Sequence, residues 1–131
     1  MEPPKNVRVI EWKTSTVWLD ENGILYSISK KVPQQTIEEA KKSVEDFKKL
    51  VGDKKVCMLA DVTNTTESTK EMRDWAAVEL PKLIKALAMV SKSPLGKMLA
   101  NLFFRVKKQP YPVRMFNDET EAVTWLKNYL I

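Results

Sequence analysis

Six of the seven residues in Val56-Cys57-Met58-Leu59-Ala60-Asp61-Val62 are apolar, and they do not alternate with polar ones. A strand with one wet face alternates; an unbroken apolar run of this length marks a strand buried inside a sheet. This one reads as covered by helices on one face and flanked by strands on both sides. A chain containing it must therefore supply further strands and at least one amphipathic helix close by.

The helices announce themselves by their caps. Thr36 and Glu39 form a capping box, in which the side chains of the N-cap and third residues satisfy each other's orphan backbone donors. Ile37, Ala40, Val44, Phe47, Leu50 and Val51 then recur on one helical face, and Gly52 supplies a terminator. Ser68 and Glu71 have the spacing of a second box, opening a helix whose inner side carries Met72, Trp75, Ala76 and Leu80 and which Pro81 ends. Ser93-Pro94 gives a cap and a proline at the first position of a third helix. Asn117 or Asp118 caps a last one, packing through Ala122, Trp125, Leu126, Tyr129 and Leu130.

The strands lie between. Val7 to Trp12, Thr16 to Asp20 and Ile24 to Ser29 are short β-branched and aromatic runs, the last two joined through Glu21-Asn22-Gly23, a tight-turn sequence with positive φ angles. Leu83 to Val90 is an apolar strand interrupted by Lys85, and Val113 to Phe116 is a short strand after Pro110 and Pro112. The order β-β-β-α-β-α-β-α-β-α specifies an α/β fold with a mixed sheet and helices packed on it. No repeat or linker divides residues 1–131, so one domain is expected.

Composition narrows the function. Histidine is absent and Cys57 is the single cysteine, which removes histidine-based triads, Cys/His zinc sites and internal disulfides. Neither phosphate-binding glycine motif is present, since Gly23, Gly52 and Gly96 lie far apart. A non-enzymatic binding protein without cofactor or metal is the expectation. No apolar run reaches the length of a membrane span and the first residues have no signal-peptide pattern, so a soluble cytoplasmic protein is expected.

The element order resembles the STAS domain, the fold of the sporulation anti-anti-sigma factor SpoIIAA. Wording supports the likeness. Pro110-Tyr111-Pro112-Val113-Arg114-Met115-Phe116-Asn117-Asp118-Glu119-Thr120-Glu121-Ala122-Val123-Thr124-Trp125-Leu126 is similar to the P-Y-P-x-R-x-F-x-D-E-x-E-A-x-x-W-L ending of bacterial STAS-like proteins, as is Val17-Trp18-Leu19 with the segment to Leu25. The resemblance spans essentially the whole chain. It implies a SpoIIAA-like fold and a non-catalytic regulatory module acting through protein–protein contact, as anti-sigma-factor antagonists do. In that family a phosphoacceptor serine lies after the central strand. The matching stretch here runs from Asp61 to Lys70, so the resemblance makes Asp61, Thr66, Ser68 and Thr69 the candidate regulatory loop. The family's D-S-x-G run is replaced, with Lys70 and Glu71 where a small residue and glycine stand. The plainer reading of Ser68 is an N-cap only.

Charge offers a second surface. Between Leu80 and Phe116 stand Lys82, Lys85, Lys92, Lys97, Arg105, Lys107, Lys108 and Arg114 with no acid among them. An anionic partner and a plain solvated face both fit such an asymmetry. No nucleic-acid motif accompanies it, so nucleic acid is not expected. In the third helix Leu95, Met98, Leu99, Leu102, Phe103 and Val106 form an apolar stripe, with Phe104 widening it. The ordinary reading is core packing against the sheet. The functional alternative is a carrier or sensor of a small apolar or anionic ligand, like the CRAL-TRIO lipid-binding domains, using Lys97, Phe103, Phe104, Arg105, Lys107, Lys108 and Arg114. A homodimer is expected too, because exposed edge strands call for cover.

Overall fold

The computed structural model describes residues 1–105 and 110–130, with the side chains of Phe104 and Arg105 excluded. Val106, Lys107 and Lys108, named above for the stripe and the basic surface, lie outside the described residues. In chain order the elements are β1 (Val9–Glu11), β2 (Ser15–Leu19), β3 (Ile24–Ser29), α1 (Ile37–Val51), β4 (Val56–Asp61), α2 (Lys70–Glu79), β5 (Ile84–Val90), α3 (Pro94–Arg105), β6 (Val113–Phe116) and α4 (Glu119–Leu126). Short 3₁₀ turns follow α2 and α4.

The strands form one six-stranded sheet in sequential order from β1 to β6. β1, β2 and β3 pair antiparallel, while β3 through β6 run parallel. The hairpin between β2 and β3 needs one positive φ, at Gly23, in place of the several its sequence suggests. Asp20 does the rest, its carboxylate accepting from the backbone N–H groups of Asn22 and Ile24 at 2.9 Å each.

β4 pairs with β3 on one side and β5 on the other, as its apolar run requires. Burial goes further than one covered face. Val56 and Ala60 join Phe47 of α1 and Ala100 of α3 in one core, whereas Cys57 and Leu59 join Ala122 and Leu126 of α4 in another. Both faces of the strand are dry, which explains why no polar residue alternates along it. The first helices and α3 thus share one side of the sheet, and α4 covers the other together with Met1 and Val7. Trp18 and Tyr26, register partners on β2 and β3, stack on the α4 side with centroids 5.1 Å apart.

The α1 cap is as expected. Thr36 Oγ1 accepts from Glu39 N, and Glu39 Oε1 accepts from Thr36 N. The α2 cap is displaced by one residue from the sequence expectation. Thr69 is the N-cap and accepts from Met72 N at 3.1 Å, while Ser68 lies outside the helix with its carbonyl receiving Arg73 Nη1 at 2.6 Å. Ser68 therefore is not the cap; the Arg73 guanidinium fixes it instead. Ser93 does cap α3, with Oγ accepting from Gly96 N.

Gly96 holds α3 against the end of β4. A Cβ built there would lie 2.4 Å from the carbonyl oxygen of Val62 and 2.5 Å from that of Thr63. Backbone touches backbone at this point, and only glycine allows it.

Two stability predictions test this architecture. Leu59→Ala, at a fully buried position, lowers unfolding free energy by about 3 kcal/mol in urea titration. Gly96→Ala, normally favourable in a helix by about 1 kcal/mol, destabilises by about 1–3 kcal/mol here because α3 must back away from Val62.

Candidate functional site around the loop after the central strand

The parallel strands deliver their C-terminal ends to one edge of the sheet, the usual place for recognition in α/β folds. The loop from Val62 to Thr69 leaves β4 at that edge and is held from three directions. Asp61 Oδ1 accepts from Thr63 N at 2.9 Å, so the carboxylate shapes its own turn. Thr63 Oγ1 accepts from Lys92 N, tying the loop to the start of α3. Ser29 Oγ accepts from Asn64 N, and Thr66 Oγ1 donates to Val32 O at 2.6 Å, tying it to the end of β3 and the approach to α1.

The hydroxyls in this loop have different circumstances. Thr66 is half-buried and its oxygen is committed to Val32, with Gln34 Nε2 at 3.4 Å. Ser68 is half-buried with Oγ 3.5 Å from Arg73 Nη1. Thr69 is exposed and caps α2. Asp61, Thr66, Ser68 and Thr69 are therefore brought together on one edge, with a guanidinium beside Ser68 and a helix N-terminus beside Thr69.

The third helix departs from the core-packing expectation. Leu95, Met98 and Leu102 are 59%, 59% and 44% exposed. The side turned to the sheet carries Gly96, Ala100 and Phe103, three positions four and three residues apart. Close approach at Gly96 leaves room for small side chains only, so the large ones fall on the outer side. Leu95, Met98 and Leu102 line a groove of about 600 Å³ whose opposite wall is Thr63, Thr65 and Glu67 of the loop. Sequence periodicity found the stripe but not its direction. The signal that carried direction was the pair Gly96 and Ala100, small residues one turn apart.

Of the basic surface, Lys97, Phe103 and Arg114 have described side chains, and these three do not share one face. Arg114 lies opposite Ala88 in the β5–β6 register and places its guanidinium 5.0 Å from the Phe116 ring. Ala88 and Phe116 belong to the α4 side, so Arg114 stands across the sheet from Lys97 and Phe103. Lys97 is exposed on α3, whereas Phe103 is half-buried over the sheet. These residues do not form a common anion pocket.

Reactive groups are sparse near the loop. Cys57 lies on β4 under α4, and burial pushes its thiol up against the lowering pull of Lys85. Tyr26 is pushed up to about 12, by burial first and then by the charges of Asp20 and Glu119. Among the described residues no three acidic or thiol side chains gather as metal ligands. No described helix is long and apolar enough to cross a membrane.

The fold has a solved counterpart. An uncharacterised protein of the DUF3478 family from Shewanella loihica PV-4, with a SpoIIAA-like fold, is 18% identical and superposes with a TM-score of 0.51. The alignment covers 96% of this chain and 98% of that one. The fold here is likewise SpoIIAA-like. A protein of unknown function from Arthrobacter sp. FB24 is 27% identical over 85% of this chain and 97% of that one, with a TM-score of 0.32. No curated protein matches the chain. The model of a family described as a domain of unknown function, DUF7793, matches residues 17–130, and the chain belongs to that family.

Proposed function

We propose that this chain is a non-catalytic regulatory module that docks a protein partner in the groove between the loop after β4 and the outer side of α3. One observation carries the reading: three large apolar side chains, Leu95, Met98 and Leu102, stand in water beside a loop held by side-chain hydrogen bonds. Exposing such a stripe is unfavourable by roughly 25 cal/mol per Å² and marks a surface that something covers. The spacing at i, i+3 and i+7 suits an amphipathic helix laid alongside, anchored by apolar side chains.

Charge selects among partners. α3 sits in the middle of a stretch from Leu80 to Phe116 with eight basic residues and no acid. A partner helix flanked by Asp and Glu gains from that field, which steers association more than it adds to affinity. The loop supplies a switch. A phosphate on Ser68 would meet the Arg73 guanidinium, and one on Thr69 would replace the cap on Met72 N. Either would alter the wall of the groove facing Met98.

The test compares full-length protein with Met98→Glu and with Lys127→Glu, an exposed control away from the groove, in quantitative pull-downs followed by binding measurements on the recovered partner. Met98→Glu weakens the complex at least tenfold, because a carboxylate must lose water in an apolar contact, and the control does not. Equal recovery by both variants overturns the reading. Sedimentation decides the remaining occupant: a wild-type dimer that Met98→Glu turns monomeric means that a second copy, not a foreign helix, covers the groove. Thr69→Glu also changes the partner's dissociation constant at least threefold, read by the same titration, with helix content by circular dichroism unchanged to within a turn.

A further inference from the structure

A second feature lies on the opposite side of the sheet from the groove. A pocket of about 330 Å³ opens between the segment before β1, the β2–β3 hairpin and the start of α4. That volume is within the range of small-molecule sites, about 300–1,000 Å³, with no side chain moved. Its walls carry four carboxylates, those of Glu2, Asp20, Glu21 and Glu119, and no lysine or arginine. None of the four has an ion pair among the described residues, although the chain as a whole has a net charge of +5. Like charges gathered without a counter-ion repel one another, and a cation entering among them relieves that repulsion.

The pocket also has a polar floor. Trp18 and Tyr26 line it and are 1% and 8% exposed. The indole N–H of Trp18 has no acceptor among the described residues. The partnerless polar atoms wholly closed to water are there Trp12 Nε1 and Tyr111 Oη. Trp18 Nε1 is partnerless without being closed, so the accessible sliver of an otherwise buried side chain includes this donor, and the pocket is where Trp18 reaches the surface. Native structures leave few such groups without a reason. The Tyr26 hydroxyl stands in the field of two of the carboxylates, being pushed up to about 12 by burial first and then by the charges of Asp20 and Glu119. Asp20 is held in place, its Oδ1 accepting from Asn22 N and Ile24 N at 2.9 Å each.

We propose that this pocket binds a small organic ammonium ion that also carries a neutral hydrogen-bond acceptor, as an α-amino amide does, with its charge among the Asp20, Glu21 and Glu119 carboxylates and its carbonyl on Trp18 Nε1. A metal ion does not fit, because among the described residues no three acidic groups gather within its reach. Carboxylates spread round a wall suit a charge carried on a larger body. An anion finds no cation on the walls. A neutral amide answers the indole and leaves the carboxylates as they were, while a zwitterion brings a carboxylate of its own into their field. The ligand preference is thus the reverse of the one suggested by the basic stretch from Leu80 to Phe116, none of whose cations lines the pocket. The same chemistry stands at the amino terminus of a peptide, and the experiment separates the two sources.

The probes are leucinamide, leucine and 4-methylpentanamide, titrated into full-length ¹⁵N-labelled protein at low salt and about pH 6.5, where the amine of leucinamide is charged. The Trp18 Nε1 resonance, assigned on wild type by through-bond experiments, moves downfield on saturation with leucinamide. 4-Methylpentanamide and leucine each bind more weakly by about tenfold or more, the first for want of a charge and the second for its carboxylate. Glu21→Gln combined with Glu119→Gln, both at exposed positions, weakens leucinamide binding about 3- to 20-fold, since each partly exposed ion pair is worth a factor of about 1.5 to 5. Glu45→Gln, exposed on α1, leaves it unchanged. Leucyl-glycyl-glycinamide tells the sources apart: affinity equal to that of leucinamide or higher assigns the pocket to a peptide amino terminus, and lower affinity to a free small molecule. An unmoved Trp18 resonance at about 20 mM leucinamide, enough to fill most of a site of millimolar affinity, overturns the proposal, as does undiminished binding by the doubly substituted protein or equal affinity for leucine or 4-methylpentanamide.

Discussion

Every functional element of this molecule depends on burying β4 on both faces. Its ladder with β3 and β5 satisfies its backbone, and the alternate side chains are divided between two cores. Such a strand contributes hydrophobic free energy on each side, on the order of 1.5–3 kcal/mol for a large apolar residue. The cost is topological: the chain must cross over the sheet on both sides of it. Three crossings place α1, α2 and α3 together, and the last helix must then cover the other face alone. The tail from Pro110 to Leu126 is the material for that task. Phe116, Ala122, Trp125 and Leu126 all belong to the α4 core, so the residues most legible in that tail are packing residues.

The close packing at Gly96 follows from the same constraint. With β4 followed by an apolar Val62 that is itself buried, the loop and the start of α3 must meet without water between them. Glycine and alanine at positions 96 and 100 permit the contact, and the large residues of the helix are displaced outward. The exposed stripe is therefore a consequence of tight packing on the inner side.

Much of the fold was legible because its signals are local. A capping box at Thr36 and Glu39, a proline at the start of α3 and an unbroken apolar run each act within a few residues. The α2 cap was placed one residue early because two hydroxyls stand in succession, and Ser68 with Glu71 has the better pattern. Arg73 settled the matter by reaching back five residues to Ser68, a contact that no cap rule contains. The charged residues misled in another way. Arg114 is near Lys97 in sequence distribution but belongs to a strand, where each step of one residue changes face. The parity of β6 sent it to the α4 side. The position of the loop in the fold was legible, since a loop following the central strand emerges at the C-terminal edge of the parallel sheet.

The groove lies on one side of the sheet and the carboxylate-lined pocket on the other. Phe103 belongs to the inward side of α3 and lines two small pockets beneath it, whereas Leu102, its neighbour, lines the groove. One helix thus has an apolar pocket on its inner side and an apolar groove on its outer side. Gln34 makes a second connection, since it borders both small pockets and its amide donates to Thr66 O in the loop at 3.1 Å. A fold shared at 18% identity says nothing of what occupies the groove or the carboxylate-lined pocket. What distinguishes this chain is local: carboxylates without an ion pair beside Trp18, and an apolar stripe without a cover at Leu95, Met98 and Leu102.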